Sequence, residues 1–149
     1  MNTSLSYLLG LGLWLTIAFP GDHAGSTSCL PYEPDTVTIH GTLVLTKKYG
    51  PPNYGENPES DERLEIPILR LSHPVDICGD VNGEFNHDAF QNVSEIQLLF
   101  RPGTDYRHFS GHKVIAKGVL DQAIMSHHFT QVVMTVRTIK DLKPVEPGS

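Results

Sequence analysis

Period-two alternation constrains this chain more than any other feature of its sequence. Val37, Ile39, Leu43 and Leu45 are apolar, with Thr38, His40, Thr42 and Thr46 between them. The same beat returns at Ile96, Leu98 and Phe100, at Val114, Ala116, Gly118 and Leu120, and at Val132, Met134 and Val136. Side chains that alternate in this way belong to strands with one buried face. Leu64–Leu71 reads as a further strand, and Pro67 marks an edge or bulge there because proline gives no N–H to a ladder. Helical periodicity is poor after residue 26 and no internal repeat is visible, so the chain is expected to be all-β.

The order of elements narrows the class. Five strands are expected, with a helical turn over Tyr106–Gly111 between the third and fourth. That is the order of a small OB-like barrel; an SH3-like barrel or a small β-sandwich are the alternatives. Gly41 sits mid-strand, where a bend or bulge is expected, and Gly118 allows tight curvature in the strand that follows "FSGHK". Ser72–Asn92 is polar and reads as a long connection.

The N-terminus has a different character. Leu5–Phe19 is nearly all apolar, Pro20-Gly21 breaks it, and Ala24, Gly25 and Ser26 offer a small-x-small cleavage site. This is the layout of a signal peptide, although no Lys or Arg precedes the apolar run. A retained anchor is the alternative, but a bilayer span needs about 20 such residues. The expected organisation is a signal peptide over 1–26, one barrel over 27–140 and a frayed tail over 141–149. Export makes the two cysteines, Cys29 and Cys78, an expected disulfide. Closing a loop of that length stabilises by roughly 4 kcal/mol in the chain-entropy treatment. Lipidation of Cys29 is the rival reading. Small residues precede it, but the leucine of a lipobox is missing and Cys78 would lack a mate.

Charge excludes one class of partner. With 11 Lys+Arg against 17 Asp+Glu, and no basic cluster beyond Lys47-Lys48, no nucleic-acid binding is expected.

Two unusual stretches are candidates for a site. The first is "GPPNYGE" in the loop between strands one and two, which is far longer than a hairpin needs. Pro51 and Pro52 would stiffen it, Asn53 and Gly55 favour turns, Tyr54 offers a flat face with a polar tip, and Glu56 adds a carboxylate. The second is "DQAIMSHHFTQ", residues 121–131, between strands four and five. In an OB-like barrel these two loops border the ligand face. Pro52, Asn53, Tyr54, Glu56, His127 and His128 are therefore expected to form one ligand-binding site. Glu56, His127, His128 and His112 are also candidate metal ligands, but no ligand spacing supports them, and no cofactor is expected. "DVNGEFNHD" has oxygen ligands in part but lacks the calcium-loop spacing. No nucleophile elbow or H-E-x-x-H helix occurs.

Three strings, "CLPYEPDTVTIHGTL", "GPPNYGENPESDE" and "SHHFTQVVMTVRTI", together resemble an exported bacterial family known as a domain of unknown function (number four-four-three-one). The resemblance implies export, a Cys-Leu after the signal, a GPPNY loop and a His-rich turn before the last strand, and it lends no activity. Phe129 stands where that family usually has a third histidine. The functional expectation is a secreted or periplasmic, non-catalytic binding module for an envelope component, a glycan or a protein. The alternative is a small metal-dependent enzyme or metal carrier using Glu56, His127 and His128. No stable membrane insertion is expected after signal cleavage.

Overall fold

A computed structural model describes residues 29–142. The expected signal peptide, and the tail from residue 143, lie outside the described residues. The elements are β1 (Val37–Tyr49), β2 (Arg63–Ile77), β3 (Phe90–Leu99), a 3₁₀ turn (Arg107–Phe109), β4 (Lys113–Gln122) and β5 (Val132–Asp141). They close into a barrel in the order β1-β2-β3-β5-β4. The fold is an all-β, OB-like five-stranded barrel with its one helical turn where the sequence suggests it.

All neighbours are antiparallel except β3 and β5, which run parallel over Gln97↔Val133, Leu98↔Met134 and Leu99↔Thr135. The core follows the alternation. Leu43, Leu69, Ile96, Leu98, Leu120 and Met134 are essentially sealed from solvent. Each such side chain contributes about 1.5–3 kcal/mol through burial.

The strands run longer than the sequence suggests; β3 begins at Phe90, inside the stretch expected as a connection. β2 continues to Ile77, through Ser72, His73 and Pro74, and the β2–β3 ladder is irregular between Arg70 and Val75. A strand that slips register there keeps a polar outer surface and so loses its sequence signature. β5 runs on through Asp141, and Leu142 N–H donates to the Lys113 carbonyl, so the tail begins later than expected. Pro67 pairs with Leu45 on β1 and lies just outside the β2–β3 ladder, which starts at Ile68↔Gln97, so its missing N–H is not required there.

The segment before β1 crosses one end of the barrel. Cys29 and Cys78 are disulfide-bonded, with Cα atoms 5.2 Å apart. Beside the bond, Leu30 N–H donates to the Asp76 carbonyl and Cys78 N–H to the Leu30 carbonyl. Tyr32 is buried in the core, its hydroxyl donating to the Asp88 carbonyl at 3.0 Å.

Gly118 marks the tightest approach. Lys117 pairs with Thr138 and Gly118 with Val136, so Arg137 is the extra residue of a bulge on β5. A Cβ at position 118 would lie 2.2 Å from the Thr135 carbonyl oxygen. Gly118→Ala must therefore move backbone, and is expected to cost about 1–3 kcal/mol, typical of overpacking. Equilibrium urea unfolding of the variant against the parent checks this; an unchanged midpoint would show that the bulge absorbs a methyl freely.

Candidate functional site

An apolar concavity lies where the β4–β5 loop meets the β2–β3 loop. Its cavity, about 420 Å³, has His127, His128, Ile124 and Met125 on one side and Phe85 and Asn86 on the other. Leu99 and Val133, at the parallel seam, also line it, with Glu33, Asp121 and Gln122 at its polar margin. Phe85, Ile124 and Met125 are large apolar side chains left 61 %, 61 % and 55 % exposed. Three such side chains rimming one cavity distinguish it from scattered surface apolar residues.

Gln97 positions the β4–β5 loop. Its side chain is buried, its amide donates to the His127 carbonyl at 3.1 Å, and its amide oxygen accepts from Phe129 N–H at 2.7 Å. Its backbone N–H donates to the Thr130 hydroxyl. Across the cavity, Asn86 ties the β2–β3 loop to β4: its amide oxygen accepts from Gln122 N–H at 2.6 Å and its NH₂ donates to Asp121. Asn86 is buried with a φ of 65°, a left-handed conformation that asparagine tolerates better than most residues. Asp80 in the same loop accepts from Asn82 N–H, so the acidic "DVNG" forms a local turn.

The two imidazoles pack edge-on, 4.7 Å between ring centres. His128 Nδ1 accepts from the N–H groups of Ile124 and Met125, at 3.3 and 3.4 Å. A ring that accepts at Nδ1 is neutral with its proton on Nε2. Burial, and then the neighbouring His127, hold the His128 pKa below the ordinary histidine range, with Asp121 opposing in part.

The β1–β2 loop is organised separately, around Asp61. This carboxylate is 7 % exposed. It accepts from Gly55 N–H at 2.7 Å, from the Asn53 N–H and side-chain amide at 2.8 and 3.1 Å, and from Asn57 N–H at 3.3 Å. Burial alone would raise its pKa, but those hydrogen bonds outweigh it and lower it. Gly50 N–H to Glu62 and Glu62 N–H to Pro51 close the loop's base. Tyr54 is 39 % exposed and holds a φ of 52°, unusual for an aromatic residue.

The six expected site residues are therefore divided. His127 and His128 line the cavity; Pro52, Asn53, Tyr54 and Glu56 do not. The reason is register. β1 and β4 are antiparallel, Val37 opposite Gly118 and Thr42 opposite Lys113, so the β1–β2 loop leaves the far end of that ladder from the β4–β5 loop. The expectation of one shared end is corrected accordingly. One contact still links the two regions: the Lys48 ammonium stands 5.9 Å from the centre of the Phe129 ring. Nor do Glu56, His127 and His128 converge on a metal: among the described residues no group of three or more His, Cys, Asp or Glu side chains is close enough to hold one.

Residues 95–140 match the family model of a domain of unknown function, DUF4431. The resemblance read from the sequence holds over that segment, about a third of the chain. The DUF4431 segment spans the second half of β3, the 3₁₀ turn, β4 and β5 up to Lys140, and so contains Gln97, Asp121 and both cavity histidines. Phe85, Glu33 and the GPPNY loop lie outside it. No curated protein matches the chain.

Sequence reasoning missed Gln97, Asn86, Phe85 and Asp61. Gln97 had a visible signal, a polar residue amid Ile96, Leu98 and Leu99; the others become legible only once the loops are folded. Two measurements probe this arrangement. Gln97→Ala strands the Phe129 N–H and the His127 carbonyl, and is expected to destabilise by about 1–3 kcal/mol in urea unfolding. The pH effect follows from the lowered His128 pKa. The unfolded chain protonates His128 more readily, so its stabilisation is complete above about pH 6.5, the unfolded value, and is lost as pH falls towards the folded one. The Ile124 and Met125 amide resonances should titrate over that interval in the parent protein and stay flat in His128→Ala.

Proposed function

We propose that this protein is an exported, non-catalytic binding module that docks another protein over the cavity between the β2–β3 and β4–β5 loops. The observation that carries the reading is the convergence of Phe85, Ile124 and Met125, all exposed, on one concave surface. Exposed apolar clusters of this kind mark sites of association. Of the three expected partner classes, an apolar wall with one phenyl ring suits a protein side chain better than a glycan, which asks for many hydrogen-bonding groups.

Export is supported by the apolar N-terminal segment and by the disulfide. Among the described residues no helix is long and apolar enough to cross a membrane. The β1–β2 loop, pre-shaped by Asp61, leaves the far end of the β1–β4 ladder and is no part of this site.

The test uses the mature chain immobilised and exposed to cell-envelope extract. Phe85→Ser/Ile124→Ser/Met125→Ser should lose the captured protein while keeping its circular dichroism spectrum and thermal midpoint. Tyr54→Ala should retain most of it. Capture that survives the triple substitution and fails with Tyr54→Ala would move the site to the β1–β2 loop and sink this reading.

A further inference from the structure

The cavity has a chemical bias that its apolar rim does not explain. Its charged margin is acidic: Glu33 and Asp121 contribute carboxylates, and no Lys or Arg lines it. Asp121 spends one oxygen on the Asn86 amide at 3.3 Å, a single bond to a group able to accept several. His128 supplies no fixed positive charge, since it is held neutral by the amides it accepts from. Just behind the cavity, the buried Tyr32 hydroxyl is pushed up to about 12, by burial first and then by the charges of Asp88 and Asp121. This end of the barrel is thus negative and partly shielded from water.

We propose that the cavity receives a lysine or arginine side chain of the partner protein, flanked in the partner by an apolar residue. This rests on the docking site argued above and specifies its ligand. Cationic side chains have apolar stems that lie along apolar walls while the head group finds charge. Here Ile124 and Met125 would cover the stem, the Phe85 ring would face the cation, and Asp121 and Glu33 would take the hydrogen bonds. The cavity volume of about 420 Å³ holds one long side chain with part of its neighbour. An acidic partner segment is disfavoured, because it would bring like charge to a site without a cation.

The experiment uses three peptides on the isotope-labelled mature chain: acetyl-Leu-Arg-Leu-amide, its citrulline analogue of equal shape and no charge, and acetyl-Leu-Glu-Leu-amide. The arginine peptide should shift the amides of Gln122, Ile124 and Met125 and bind about tenfold more tightly than the citrulline one, as expected for a hydrogen-bonded charge. Asp121→Asn and Glu33→Gln should each narrow that ratio; Glu33, on the loop before β1, serves if the β4 substitution unfolds the chain. Equal binding of both peptides at these amides would overturn the cationic assignment and leave the docking site standing. Shifts confined to the β1–β2 loop, or none with any peptide, would overturn both. Shifts at the cavity with a chitin oligomer and with no peptide would replace the protein partner by a glycan.

Discussion

The short parallel pairing of β3 with β5 is the constraint on which the rest of this molecule depends. It joins the two strands that sequence order cannot join by a hairpin, and it removes the edges an open sheet would expose. The ladder begins at Gln97↔Val133, partway along β3, so β5 starts beside the strand's second half. β5 also adjoins β4 directly, Gln122 opposite Val132, and the residues between them fold across β3 on the outside of the barrel. That crossing is the β4–β5 loop, and Gln97 holds it against the wall with a side chain that the alternation places outward but the loop buries. Leu99 and Val133, beside the same seam, become cavity wall. Barrel closure and cavity are one feature seen from inside and outside.

The long β1–β2 loop has a different logic. It has no place in the core, yet it is ordered around a single acid. Asp61 sits at the C-terminal end of the insert and gathers donors from residues four to eight positions earlier. A carboxylate that accepts several N–H groups replaces the sheet or helix partners a loop otherwise lacks. The prolines and glycines that make the stretch conspicuous are the residues that let the chain fold back far enough to reach it.

The five strands were legible because a half-buried barrel imprints its inside and outside on alternate residues, as from Val37 to Leu43 and from Val114 to Leu120. The helical turn and the OB-like order followed from the same pattern. Legibility failed where burial and alternation part company. The distal half of β2 is mostly outward-facing and polar, so it resembled a loop. The histidine pair was recognised as chemistry, but its neighbours were misassigned. Which loops meet depends on strand direction and register, and the β1–β4 ladder settles this against the intuition that adjacent strands share an end. Asn86 and Phe85 were hidden in a stretch read as acidic and solvated; they matter because Asn86 N–H and C=O groups find partners 35 and 36 residues away.

The disulfide links this geometry to chemistry outside the fold. Cys29–Cys78 anchors the segment that carries Tyr32 into the core and Glu33 to the cavity margin, where Glu33 N–H meets the Leu120 carbonyl. Upstream of β1 that segment is held further by the burial of Tyr32 in the core, by the isolated bridge of Leu30 to Ile77, and by a few hydrogen bonds. The remaining wall is built by strands that close without it. The position of Glu33 at the cavity margin thus depends on the Cys29–Cys78 tether as well as on the strands.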